Sequence, residues 1–220
     1  MAKIVILGIG EIGELAHYYF TTDTEHEVVA FALDREYIQD GSFKDLPVVD
    51  FEEVQNAYPP KDHKMFVAIG YKRINKAREE KYSQAKSKGY SLVSYVSSRA
   101  NIFDNVTIGD NCFVLEDNTL QPFCRLGNNV VAWSGNHIGH HSRIEDHCFL
   151  TSHVVVSGGV VVAPYCFLGV NATIRDHVTI ARENVIGAGC LITRDTQPRE
   201  VYIGEASKPS KVPSNRLKKI

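Results

Sequence analysis

Nine histidines are spread through the 220 residues, and six of them fall between His137 and His177. The densest run is Trp133-Ser-Gly-Asn-His-Ile-Gly-His-His-Ser-Arg143. An imidazole titrates near neutral pH, so such a group can take a proton from a nucleophile in the act of attacking. Metal binding is the other use, but no histidine here has another five positions on, and His137, His140 and His141 crowd one turn. All five cysteines are isolated and no CxxC pair occurs, so no metal site is expected. A second chemical motif opens the chain. Gly8-x-Gly10-x-x-Gly13 follows an apolar run and precedes a helical pattern, with Asp34 about twenty residues on. Such a turn aims backbone N–H groups at a phosphate. It is moderately specific for a phosphate or nucleotide, and an unliganded glycine turn is the plain alternative.

The elements that position the histidines are read from one register. Steps of six from Ile102 reach Ile108, Val114, Leu120, Leu126, Ala132, Ile138, Ile144, Leu150, Val156, Val162, Leu168, Ile174, Ile180, Ile186 and Ile192. Only Ala132 departs from Ile, Val or Leu. The residue two before each step is small or medium-sized, and residues two apart on a strand share a face. Each hexad is therefore a short strand with two inward residues, then a turn. This periodicity predicts a parallel β-helix, with three hexads to a coil and each inward residue resting on the one eighteen positions away. An ordinary β-sandwich would not keep a fixed six-residue phase. Cys112, Cys124, Cys148, Cys166 and Cys190 all take the inward small position, where cysteine serves as a compact hydrophobe. Cys148 should stack on Cys166 as free thiols. Asn118 should stack on Asn136, their amides bonded to each other along the axis.

In this register His137 points outward just before an inward Ile138, and His140 and His141 occupy the corner that follows. Gly158 and Gly159 sit one coil later than His140 and His141. Two glycines leave that corner's backbone bare, so a ligand atom can meet the histidine and backbone N–H groups together.

Residues 1–96 read as alternating strands and helices: strands at 3–8, 26–34, 64–70 and 91–96, a further strand and helix around 46–57, and helices after Gly13 and from about Ile74 to Lys88. Gly89 ends the last of these helices. The pattern implies a small doubly wound α/β domain, too short for a full dinucleotide fold and closer to one Rossmann-like half. The β-helix domain is expected over 97–197. A tail over 198–220 carries Lys208, Lys211, Arg216, Lys218 and Lys219.

The net charge of −2 supplies no field that favours nucleic acid or an anionic membrane. No apolar run approaches the roughly 20 residues of a spanning helix, and the N-terminus lacks a signal peptide's pattern. The cytoplasm is the expected location.

Three stretches together resemble the bacterial nucleotide-linked amino-sugar N-acetyltransferases of the hexapeptide-repeat superfamily, the sialic-acid O-acetyltransferase-like group. They are GIGEIG at 8–13, HIGHHSRI at 137–144 with SGG at 157–159, and YIGEASK at 202–208. The resemblance covers essentially the whole chain. It implies a left-handed β-helix, a homotrimer, and acetyl-CoA lying in a groove between adjacent β-helices. It places a nucleotide-linked amino sugar on the N-terminal half. It assigns catalysis to His140, His141 and Gly158, with His140 the general base. Gly158, Val170, Arg175 and Lys208 fall to acetyl-CoA, and Gly8, Gly10, Asp34, Gly70, Asn136 and His137 to the sugar nucleotide. Two departures stand out. The family's histidine is commonly followed by an acid that orients it; here His141 follows, and Glu145, Asp146 or His141 itself is left to do that work. Ala206-Ser207 replaces the family's Pro-Ala.

The activity so implied is acetyl transfer from acetyl-CoA to the amine of a 4-amino-4,6-dideoxy sugar, directly and without a cysteine acyl-enzyme. O-acetylation of a sugar hydroxyl, or transfer of another acyl group, is the alternative enzyme. A non-catalytic nucleotide-binding trimer is the alternative of a different class.

Overall fold

The computed structural model describes residues 1–216, so Lys218 and Lys219 lie outside the described residues. In the first part, β1 (Lys3–Leu7), β2 (Glu27–Leu33), β4 (Leu46–Asp50) and β5 (His63–Val67) are parallel, and short β3 (Ser42–Phe43) runs antiparallel to β4. The order across the sheet is β3-β4-β2-β1-β5. Side chains alternate along β1. Ile4 and Ile6 enter the layer shared with α1 (Glu11–Asp23), while Val5 and Leu7 enter the opposite layer with Val54 of the short α2 (Val54–Ala57) and Tyr82 and Ala85 of α3 (Lys76–Ser87). Both faces of the sheet are thus covered, as parallel strands require.

From Tyr95 the chain forms two-residue rungs at six-residue intervals. Three parallel sheets result, each rung pairing with the one eighteen positions on: Thr119 with His137, Arg125 with Arg143, Val131 with Phe149. The hexad register read from the sequence is the observed one, and its inward residues form one continuous core from Cys112 to Ile192. Cys148 and Cys166 occupy successive coils as buried free thiols. Their sulfurs bond to the carbonyls of Ala163 and Ala181 at 3.2 and 3.1 Å.

Three expectations need correction. The amides of Asn118 and Asn136 do not bond to each other. Asn118 Nδ2 donates to the carbonyls of Leu115 and Trp133 at 2.8 and 2.9 Å. Asn136 donates to Trp133 O and accepts from Val154 N. Corner carbonyls buried inside the coil need donors, and the nearest amide supplies them. Next, Ser91–Val96 is not a single strand of the first domain. Only Leu92 bridges to Met65 of that sheet, whereas Tyr95–Val96 pairs with Phe113–Val114 of the β-helix. Val96 stands six before Ile102, in phase with the hexads. Finally, the coil continues past the pattern's end: Val201–Tyr202 pairs with Val185–Ile186, closing a coil two residues shorter than the rest.

The two parts share a core. One of the three sheets turns Phe113, Val131, Phe149 and Phe167 outward, and these join Ile4, Phe20, Phe31 and Phe66 beneath α1. Tyr71 packs on Phe149 and Phe167 with ring centroids 5.1 and 4.9 Å away. Arg78 of α3 is 1% exposed and donates to Asn129 and to Cys148 O. Buried without a carboxylate, its guanidinium is pushed down to about 10 by desolvation.

Candidate active site

The rung His137–Ile138 ends at Gly139, and the chain turns at His140 and His141. His141 takes a left-handed backbone with φ 62°. The His140 N–H donates to Gln121 Oε1 at 2.9 Å, which fixes the corner from the coil before. From the coil after, Gly159 N–H donates to His140 O at 2.8 Å. The His140 ring lies over Gly158: a Cβ there would stand 2.6 Å from both Cε1 and Nε2. Any side chain at 158 would displace the imidazole. Among the described residues no acceptor is paired with the Gly158 N–H. The imidazole edge and a backbone N–H without an acceptor thus lie side by side at this corner, the kinds of group needed to take a proton and to stabilise an oxyanion.

The Nδ1 atoms of His140 and His141 are 3.1 Å apart. The His141 ring rests in turn on Phe123, centroids 4.7 Å apart and tilted by 34°. The two acids proposed as alternatives are engaged elsewhere. Glu145 pairs with Arg143 at 3.5 Å, and Asp146 accepts from Asn128 N at the next corner.

The remaining expected residues separate into groups. Arg175 is exposed and stands one coil beyond Ser157, beside Gly158. His137 is half-buried on the outer face of the rung leading into the corner. Val170 is exposed at a different corner, after the Phe167–Leu168 rung. Lys208 is exposed in the tail. Asn136 leaves the substrate-binding set: it is 1% exposed, inside the coil, with its amide bonded at both ends.

Gly8, Gly10, Asp34 and Gly70 come together around a cavity of about 340 Å³ at the C-terminal ends of β1, β2 and β5. Open α/β sheets bind ligands at this edge. Gly8 adopts φ 122°, and a Cβ at Gly13 would sit 2.2 Å from Gly8 O, so fold alone requires those two glycines. Gly10 has nothing within 4 Å of its missing Cβ; it opens on the cavity. Asp34 already accepts from Lys81 Nζ at 2.5 Å. Tyr37, Lys72 and Lys81 also line the cavity and were missed in the sequence. The signal for Lys72 was its place two residues after Gly70, in the turn that follows β5.

All five thiols are buried. Burial pushes Cys112 up to about 12 and Cys148 upward as well, so neither supplies a thiolate. Among the described residues no cluster of His, Cys, Asp and Glu is arranged to hold a metal ion. Among the described residues no helix is long and apolar enough to cross a membrane.

No protein-family model matches the chain. Perosamine N-acetyltransferase from Caulobacter crescentus, solved with CoA and GDP-perosamine, superposes with a TM-score of 0.81 at 24% identity, covering 93% of this chain and 94% of that one. The chain has the hexapeptide-repeat, left-handed β-helix fold. The acetyltransferase domain of PglB from Neisseria gonorrhoeae shares this fold with a TM-score of 0.67 at 20% identity, over 96% of this chain and 100% of that domain. The same domain has been solved with acetyl coenzyme A. By sequence, UDP-3-O-acylglucosamine N-acyltransferase of Herminiimonas arsenicoxydans is 31% identical over 108 residues, 47% of this chain. That match spans only 29% of the relative's length.

Proposed function

We propose that the protein is an acetyl-CoA-dependent N-acetyltransferase acting on the amino group of a nucleotide-linked 4-amino-4,6-dideoxy sugar. The observation that carries this reading is the His140 imidazole over Gly158, beside a backbone N–H that has no acceptor among the described residues. The fold neighbours solved with CoA and with GDP-perosamine supply the ligand classes.

The chemistry follows from the corner. His140 Nε2 takes a proton from the sugar amine as its nitrogen attacks the thioester carbonyl. The new C–N bond forms, the Gly158 N–H faces the developing oxyanion, and the C–S bond then breaks. The thiolate leaves as CoA. With all five cysteines buried away from the corner, transfer is direct and passes through no acyl-enzyme.

The sugar's nucleotide rests in the cavity at Gly8, Gly10 and Gly70. A homotrimer completes the site. The α/β half packs on the sheet bearing Phe149, whereas His140 stands at the corner between the other two sheets. No residue of that corner lines the cavity. The nucleotide cavity of one protomer then serves the His140 corner of its neighbour in a closed ring.

The test is incubation with acetyl-CoA and a panel of nucleotide-linked sugars while following thiol release. Release that requires a free sugar amine is expected. Release with hydroxyl acceptors alone would replace N- by O-acetylation, and none with any acceptor would end the reading.

A further inference from the structure

The contact between the two corner histidines determines where their protons lie. An Nδ1–Nδ1 distance of 3.1 Å is a hydrogen bond only when one nitrogen donates and the other accepts. A single proton therefore sits between the rings, in one of two arrangements. If His141 donates, the His140 proton must sit on Nε2, the edge that faces Gly158. That edge lies over the Gly158 Cα and has no acceptor paired with it among the described residues, surroundings that leave a second N–H without a partner. If His140 donates from Nδ1, its Nε2 is bare where a proton has to be received.

We infer that His141 is a positioning residue, its neutral imidazole accepting the Nδ1–H of His140 and holding the His140 Nε2 unprotonated over Gly158. This rests on the reading of His140 as the base. The His141 ring is held for the purpose by Phe123 on one face and by its left-handed backbone. The two acids nearest in sequence are engaged elsewhere: Glu145 pairs with Arg143 and Asp146 bonds Asn128; His177 leans on Gly159, and exposed Arg175 and Asp176 stand one coil beyond Ser157 and Gly158. Once Nε2 gains a proton, the Nδ1–H···Nδ1 bond becomes charge-assisted and shortens toward His141. A neutral acceptor thus orients the base without placing a permanent negative charge beside the incoming thioester.

The test reads the tautomer directly, without substrate. Protein labelled with ¹⁵N-histidine shows in long-range ¹H–¹⁵N spectra which ring nitrogen of His140 carries hydrogen. We expect Nδ1–H in the wild type and in His141→Asn, whose carbonyl accepts and whose residue type tolerates a left-handed backbone. We expect Nε2–H in His141→Phe, which keeps the ring against Phe123, a residue that itself has φ 68°. In turnover, His141→Phe should lower kcat roughly tenfold or more with both KM values little changed, and His141→Asn should recover most of it. An Nε2–H tautomer in the wild type, or no tautomer change in His141→Phe, overturns the inference whatever the activity. The expected tautomers in a protein that acetylates no amino sugar would uphold the pairing and end only the proposed reaction.

Discussion

The Tyr95 hydroxyl donates to Asp23 Oδ2 at 2.6 Å, and Ser98 N–H donates to the same oxygen at 2.9 Å. The last residue of α1 is thereby fastened to the first coil of the β-helix. The Ser98 and Tyr95 hydrogen bonds hold the Asp23 carboxyl down to about 2. A depressed carboxyl contributes stability above its unfolded value of 3.8 and loses it as pH falls through the folded value. Asp23→Asn should lower the urea midpoint at pH 7 by an amount equivalent to about 1 kcal/mol. The gap to wild type should close between pH 4 and 2. A gap that stays constant over that range would show that the carboxylate charge is not what matters.

His140→Ala removes the base and leaves Gly158 bare. Both kcat and kcat/KM should fall together by about 10²–10⁴-fold, with CoA affinity nearly unchanged. Raising the pH should restore part of the loss, because more of the amine is already deprotonated. Steady-state kinetics beside His137→Ala, which should cost less, check the assignment.

Gly158→Ala tests the same corner from the opposite side. Its methyl group would occupy the space of the His140 ring, so the ring must swing outward. A fall in kcat with the melting temperature almost unchanged is expected, since His140 is an exposed side chain that can move. Gly139→Ala is the control: its Cβ would stand 2.6 Å from Gly158 N and Ser157 C. It should destabilise the fold by about 1–3 kcal/mol.

The hexads were legible because inward size is a hard constraint in a coil with no spare volume. One further periodicity was available and went unread. The outward residues Tyr95, Phe113, Val131, Phe149 and Phe167 recur every eighteen positions. They mark the sheet that is buried beneath the α/β half, whereas the other two sheets turn out Thr107, Arg125, Arg143 and Thr119. The asparagines were misread for a different reason. Spacing places two amides in a column but says nothing of the corner carbonyls that compete for their hydrogens. In the candidate site, the His140 corner and the glycine turn were legible from spacing. Lys81 in the cavity was not, since it reaches there from the middle of α3 and its position depends on how that helix packs.

Gly10→Phe should fill open space at the cavity without clashing with the fold. KM for the nucleotide sugar should rise while that for acetyl-CoA stays near normal, and thermal stability should hold. Acetyl-CoA binding weakened on its own would mean that the ligands are assigned to the wrong halves.

Sedimentation should give about three times the 24.5 kDa chain mass. Unfolded and refolded together, Gly10→Phe and His140→Ala should regain activity that neither shows alone, because mixed rings pair an intact cavity with an intact corner. Activity in a stable monomer, or mixtures that stay inactive, would exclude a site shared between protomers.

The apolar layer beneath α1 is completed from the β-helix, chiefly by Phe113, Val131 and Phe149. On the ribosome, where synthesis runs from the N-terminus, residues Ile4, Phe20, Phe31 and Phe66 emerge well before those three. The nascent α/β half therefore keeps part of the apolar layer beneath α1 uncovered until three coils have been made. Translation speed through codons 95–150 sets how long that layer stays open to chaperones or to neighbouring nascent chains.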